Sequence, residues 1–266
     1  MQRATLHWIG AIAAITLITS IDAQVIYQTS FEAPTFAAGS IASQDGWVNG
    51  SGGGASQAIQ TGFGRTGTQS LLWDNTTLTS FYSVRRSFDG QNGAISPATP
   101  LQISVWLILE AEAERLYGIY ATNSGTGTLG STALGITISG DGRVRAGTTW
   151  FATYSGTPFY TDTSLLGQWI KLELTYDGVG GSASVYDSSN SLVATTSFPT
   201  VSLANANLSG TSSWNVNLGT DYNLTSSRTG TAVMDDLSIA VVPEPASMVA
   251  LGAGLIGLLA RRRLNK

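Results

Sequence analysis

The 266 residues include no cysteine and one histidine, His7. His7 sits at the start of the first apolar stretch, so the body of the chain has neither imidazole nor thiol. That excludes Ser-His-Asp and Cys-His nucleophilic centres, disulfides, and zinc or iron–sulfur sites built on His or Cys. What remains is carboxylate chemistry. Glu110, Glu112 and Glu114 alternate with alanine, so on a strand all three project from one face. Carboxyl groups about 5 to 5.5 Å apart suit retaining glycoside hydrolysis. The same run reads as well as a solvent-facing strand end or a helical turn. Oxygen-only Ca²⁺ coordination is also open to the acids, because it needs neither His nor Cys.

The other resource is aromatic. Seven Trp and nine Tyr stand in a chain with only 11% charged residues, against roughly 25% in an average globular protein. Flat rings pack on the apolar C–H face of a pyranose while neighbouring amides and hydroxyls orient its hydroxyl groups, so this composition points to sugar contact. Trp47, Trp73, Trp150, Tyr154, Tyr160, Trp214 and Tyr222 lie in or beside Gly/Ser/Asn-rich loops and are expected at the surface. The cluster Trp150-Phe151-Ala152-Thr153-Tyr154 makes Trp150 and Tyr154 the candidate carbohydrate-binding residues. Trp106 and Trp169 are expected in the core. A formal net charge of −4 argues against nucleic acid as a partner.

These residues must be carried by strands. In Ile170 to Tyr176, Ile170, Leu172, Leu174 and Tyr176 share one face and Lys171, Glu173 and Thr175 the other, the period of a half-buried strand. Ile103 to Leu109 is apolar on both faces and is expected inside a sandwich, covered on both sides. Further strands are expected at Val25–Phe31, Ser70–Asn75, Phe81–Phe88, Leu116–Tyr120, Leu134–Ser139, Val144–Thr149, Ser182–Tyr186, Leu192–Phe198 and Thr231–Ile239. Gly, Asn, Asp and Ser clusters separate them, and Asp141-Gly142 marks a tight hairpin. A dozen short strands without amphipathic helices imply an all-β fold, an antiparallel β-sandwich of jelly-roll type.

The two ends differ from this body. Arg3, the apolar run Trp8 to Ile18 and the small residue Ala23 form a secretory signal peptide over residues 1–23, too short to cross a bilayer and addressed to the Sec machinery. At the other end, Pro243-Glu244-Pro245 precedes fifteen uncharged residues, Ala246 to Ala260, and the basic tail Arg261-Arg262-Arg263 and Lys266. A helix over 246–260 spans about 22 Å, so the arginines must snorkel for it to serve as a single transmembrane helix. The basic tail, 261–266, stays in the cytoplasm, and the passenger, residues 24–242, lies outside. Without the two ends the passenger keeps 8 basic and 15 acidic residues, a net charge of −7.

The tripartite pattern of 243–266, with Pro243, Glu244, Pro245, a Gly-rich apolar stretch and Arg261, Arg262 and Arg263, closely resembles the PEP-CTERM protein-sorting signal of Gram-negative bacteria. The resemblance implies that an exosortase, a protease of the inner membrane, reads the tail and cuts near the motif. It implies a transient C-terminal anchor in the inner membrane, then delivery to the cell surface or the extracellular polysaccharide matrix, with that polysaccharide as a partner.

A second resemblance covers residues 101 to 200. Gly167-Gln168-Trp169 through Asp177, Ala183-Ser184-Val185-Tyr186, Leu192-Val193-Ala194, Ile103-Ser104-Val105-Trp106-Leu107 and the Ile136 to Val144 hairpin resemble concanavalin A-like lectin/glucanase and laminin G-like sandwiches. It implies a fold rather than an activity. Retaining glycosidases of that superfamily carry two glutamates flanking an aspartate on one strand face; by that resemblance Glu110 and Glu114 are the candidate catalytic residues, with Glu112 in the place of the aspartate. In jelly-roll carbohydrate-binding modules, segments similar to Phe31-Glu32 and Asp235-Asp236-Leu237 lie side by side and help hold a structural Ca²⁺. By that resemblance Glu32 and Asp235 are candidate ligands of a Ca²⁺ cofactor.

Overall fold

The computed structural model describes residues 23–50, 57–74, 83–89, 99–110, 116–122, 132–149, 156–199, 213–220 and 230–242. Two antiparallel sheets make up the fold. The first contains β1 (Gln24–Thr29), β2 (Gly39–Ser40), β4 (Gln57–Thr61), β5 (Gln69–Asp74), β7 (Leu101–Leu109), β12 (Ile170–Tyr176), β13 (Gly181–Tyr186), β14 (Leu192–Phe198) and β16 (Thr231–Val241). Its order is β14-β13-β12-β7-β16-β5-β4-β2, with β1 also pairing β16. The second contains β3 (Trp47–Asn49), β6 (Ser83–Asp89), β8 (Leu116–Thr122), β9 (Thr132–Ser139), β10 (Arg143–Gly147), β11 (Tyr160–Thr161) and β15 (Ser213–Thr220). It runs β11-β10-β9-β8-β15-β6-β3.

Alternation places the core between the sheets. Leu101, Ile103, Val105, Leu107 and Leu109 of β7, and Ile170, Leu172 and Leu174 of β12, face Ile119, Ile136, Ile138, Val216 and Leu218 of the second sheet, all excluded from water. The hairpin at Asp141-Gly142 forms as expected: Gly142 N–H donates to Ser139 C=O at 2.8 Å, and Gly142 has φ +76°. A Cβ there would lie 2.4 Å from the Asp162 carbonyl, so only glycine fits.

β15 runs through residues with no strand expectation. Asn215 and Asn217 disfavour strands by propensity, yet both are fully buried, and Asn217 Nδ2 donates to Thr122 Oγ1 at 3.0 Å across the ladder. Tertiary pairing overrides the local preference, because Trp214, Val216 and Leu218 between the asparagines enter the core.

β16 is split along one edge. Its first half, Thr231 to Met234, pairs with β5, and its second half, Leu237 to Val241, pairs with β1. The register against β7 shifts between Asp235 and Ser238, and Asp236 takes φ +48°. This bulge sits where β5 gives way to β1, and it turns two adjacent carboxylates toward the β4–β5 loop.

Candidate functional site

A groove of about 890 Å³ lies over the outer face of the first sheet, bounded by Thr29, Asp45, Arg65, Asn190 and Asp236 and floored by Ser104, Trp106, Lys171 and Ser238. The floor follows from register. Tyr186 pairs with Lys171, Lys171 with Trp106, and Trp106 with Asp235, so these four form one row across β13, β12, β7 and β16. One step along, Ser184, Glu173, Ser104 and Ser238 form the next.

The ionic groups of the floor are paired among themselves. Lys171 Nζ lies 3.4 Å from Glu173 Oε2 and 3.9 Å from the centroid of the Tyr186 ring, and Tyr186 Oη donates to Glu173 Oε1 at 2.9 Å. Burial, with the Glu173 charge beside it, pushes the Tyr186 phenol up to about 12, so it keeps its proton and acts as a donor. Arg65 Cζ stands 3.6 Å from the Trp106 ring centroid, and Arg65 Nη1 lies 2.7 Å from Asp236 Oδ2.

This corrects the expectation that β7 is covered by the sandwich on both sides. Trp106 is 7% exposed but lies outside the sandwich core; Arg65 covers it from the β4–β5 loop. Trp169, expected in the core, is half-buried and stacks on Phe63 of the same loop, with ring centroids 5.8 Å apart and planes 18° apart. The loop spanning 62–68 thus lies across the outer face of β7 and β12 and covers apolar surface there.

Two carboxylates tie that loop down. Asp235 Oδ2 accepts from Arg65 N at 2.7 Å and Thr66 N at 3.1 Å; Glu32 Oε1 accepts from Thr68 N at 2.7 Å and Gln69 N at 2.5 Å. Phe31, fully buried with φ +59°, turns the chain after β1 so that Glu32 reaches the loop. Asp235 is fully buried; burial pushes its carboxyl up to about 6, against the lowering pull of its backbone N–H donors.

Glu32 and Asp235 therefore meet on one segment, 65–69. A Ca²⁺ takes six to eight oxygens, and here the loop turns N–H groups rather than carbonyls toward both carboxylates. No group of three or more His, Cys, Asp or Glu that could hold a metal occurs among the described residues. In this arrangement the pair works as two amide clamps.

Other sequence candidates fall elsewhere. Glu110 is exposed immediately after β7; Glu112 and Glu114 lie outside the described residues, as do Trp150, Tyr154 and Tyr222. Trp47, Trp73 and Trp214 are fully buried in the core rather than at the surface. Trp47 Nε1 donates to Tyr27 Oη at 3.1 Å, and the Trp214 ring stacks on Phe88 at 5.0 Å. Trp47 and Trp214 lie on strands not expected from the sequence, whereas Trp73 lies on the expected strand β5, facing inward. The floor residues Lys171 and Tyr186 were legible as outward positions of alternating strands. Arg65 was not, because nothing local signals that a loop arginine crosses to a tryptophan over 40 residues away.

The sequence model of the PEP-CTERM protein-sorting motif matches residues 241–263. No curated protein matches the chain in sequence. Among solved structures, lectin II from Ulex europaeus aligns at 7% identity and TM-score 0.50, covering 84% of this chain and 100% of its own. The lectin UEA-II complexed with galactose gives the same values. Family 7 alginate lyase A1-II′ aligns at 11% identity and TM-score 0.45, covering 73% and 84%. The lectin likenesses show the fold alone, an antiparallel β-sandwich. Among the described residues no helix is long and apolar enough to cross a membrane, and 1–22 and 243–266 lie outside them. Val242, the last described residue, lies at the start of the matched protein-sorting motif. The chain joins an antiparallel β-sandwich, similar in fold to the lectin, to a PEP-CTERM protein-sorting motif at 241–263.

Proposed function

We propose that the passenger is a non-catalytic carbohydrate-contacting protein, exported through the Sec machinery, held transiently in the inner membrane by its tail, and released by an exosortase to the cell surface or exopolysaccharide matrix. The observation that carries the carbohydrate reading is the groove over β7, β12 and β16. It combines an outward tryptophan with the hydroxyl and amide groups of Thr29, Ser104, Asn190 and Ser238. That is the mixture of flat apolar surface and orienting polar groups that a sugar needs. Its charged side chains are paired with one another, and the Tyr186 phenol holds its proton, which favours binding over proton-transfer chemistry. The lectin-type fold supports the same reading.

The test is a glycan array probed with the full-length protein in detergent, run beside an assay for released reducing sugar. Retention of glycans without release is expected. A blank array from folded protein sinks the carbohydrate reading in favour of a structural matrix protein, and sugar release sinks the non-catalytic one.

A further inference from the structure

Two tryptophans stand on the outer face of a sheet whose other outward residues are mostly polar. Trp106 alternates with the core residues Val105 and Leu107, and its ring leaves the sheet on the groove side. Trp169 immediately precedes β12, two residues before Lys171, the cross-strand partner of Trp106, so the two indoles are diagonal neighbours on one face. Each carries a flat partner from the same loop: Arg65 on Trp106 and Phe63 on Trp169. Phe63 is 44% exposed, and the Arg65 side chain is 30% exposed.

We infer that Trp106, beside the Phe63–Trp169 stack, forms a stacking floor for a neutral pyranose unit, and that Arg65 holds it shut by occupying the face of Trp106 that a sugar would take. This rests on the carbohydrate reading above. The covering contact is an exposed kind, a guanidinium on an indole with a partly solvated ion pair to Asp236, and water can replace both partners of Arg65 at little cost. The anchoring of the loop does not depend on that side chain. Asp235 and Glu32 hold its backbone N–H groups, so the Arg65 side chain can leave Trp106 while the loop stays in place. The open groove beside it has room for the displaced guanidinium.

The ligand class follows from the charges. Lys171 is committed to Glu173, Asp45 lies 3.6 Å from Arg86, and Glu32 is committed to the loop. The partners left to a ligand are hydroxyls and amides, together with Arg65 and Asp236, whose opposite charges offset each other, a set that suits an uncharged sugar better than a uronate.

The test uses the full-length protein in detergent and a panel of glucan, mannan and galactan oligosaccharides, read by tryptophan fluorescence and calorimetry. Arg65→Ala is expected to bind at least one of these about fivefold more tightly than the wild type, and to raise acrylamide quenching of its tryptophans in the absence of sugar. Trp106→Leu is expected to weaken binding at least tenfold. Arg65→Lys, which keeps charge but loses the planar stack, is expected to behave like the alanine variant. If Trp106→Leu fails to melt cooperatively, the two Arg65 variants carry the test. Oligosaccharide binding that all folded variants share with the wild type overturns this inference and leaves the carbohydrate reading standing. Absence of binding in the wild type and in Arg65→Ala overturns both.

Discussion

Gln24 and Val241 are cross-strand partners at the outer end of the β1–β16 pair. The residue following the expected signal-peptide cleavage point and the first residue of the sorting-motif match are therefore paired on one ladder. The Val242 N–H, donating to Pro100 C=O at 2.9 Å, is the last described backbone bond before Pro243. The sandwich is expected to need β16 up to this point and nothing after it. A chain ending at Val242 should melt within a few degrees of the full-length protein. One ending at Asp236 loses Leu237, Ile239 and Val241, buried side chains worth about 1.5–3 kcal/mol each, and should not fold. Circular dichroism melting of the two truncations checks this; equal melting would mean that the second half of β16 is dispensable.

The sandwich was legible where strands alternate cleanly, as at Ile170 to Tyr176, and where a turn has a required residue, as at Gly142. It was hidden where a strand is two or three residues long, as at Gly39–Ser40 and Trp47–Asn49, or is built on asparagines, as at Ser213–Thr220. Those strands exist because neighbours hold them, and single-chain periodicity contains no neighbours. At the site, the convergence of Glu32 and Asp235 was legible. What they hold was not, since choosing between a cation and backbone N–H groups requires knowing which way the 65–69 segment turns.

The sorting motif begins at 241 and overlaps the final ladder residue of the fold. Pro243-Glu244-Pro245 follows Val241, the last residue of β16, after one residue. A variant with three alanines in their place is expected to fold normally and to remain in the inner-membrane fraction, while the wild type reaches the surface or medium. Fractionation and immunoblotting decide it, and surface delivery of the alanine variant at the wild-type level would remove the sorting role of those residues.

Metal dependence follows from the clamps. Glu32 and Asp235 hold the 65–69 backbone directly, so neither EDTA nor millimolar Ca²⁺ is expected to move the melting temperature by more than about 1 °C. Glu32→Ala removes the acceptor for Thr68 N and Gln69 N and should cost about 1–3 kcal/mol. A rise of several degrees with Ca²⁺, lost in Glu32→Ala, would show that the loop turns its carbonyls inward around a cation.

Asp235 should give the protein an acid-side gain in stability. Its carboxyl is fully buried and raised from the ordinary 3.8 to about 6. Between pH 6 and pH 4 the folded state therefore binds a proton that the unfolded chain does not, and the contribution of this group to stability grows as pH falls through that window. Above pH 6 the buried charge costs about 3 kcal/mol relative to its exposed reference; below pH 4 both states are protonated and the contribution is level. Asp235→Asn cannot titrate, and its amide nitrogen faces the Asp236 N–H that Oδ1 now accepts from, which adds a pH-independent loss. Urea unfolding of both proteins at pH 7.0 and pH 4.5 is expected to show the wild type gaining about 1–3 kcal/mol on the variant at the lower pH. Comparing the two cancels the other carboxylates, which titrate alike in each. Parallel pH profiles would mean that the N–H donors of Arg65, Thr66 and Asp236 fully offset the burial, and that Asp235 stays ionised throughout.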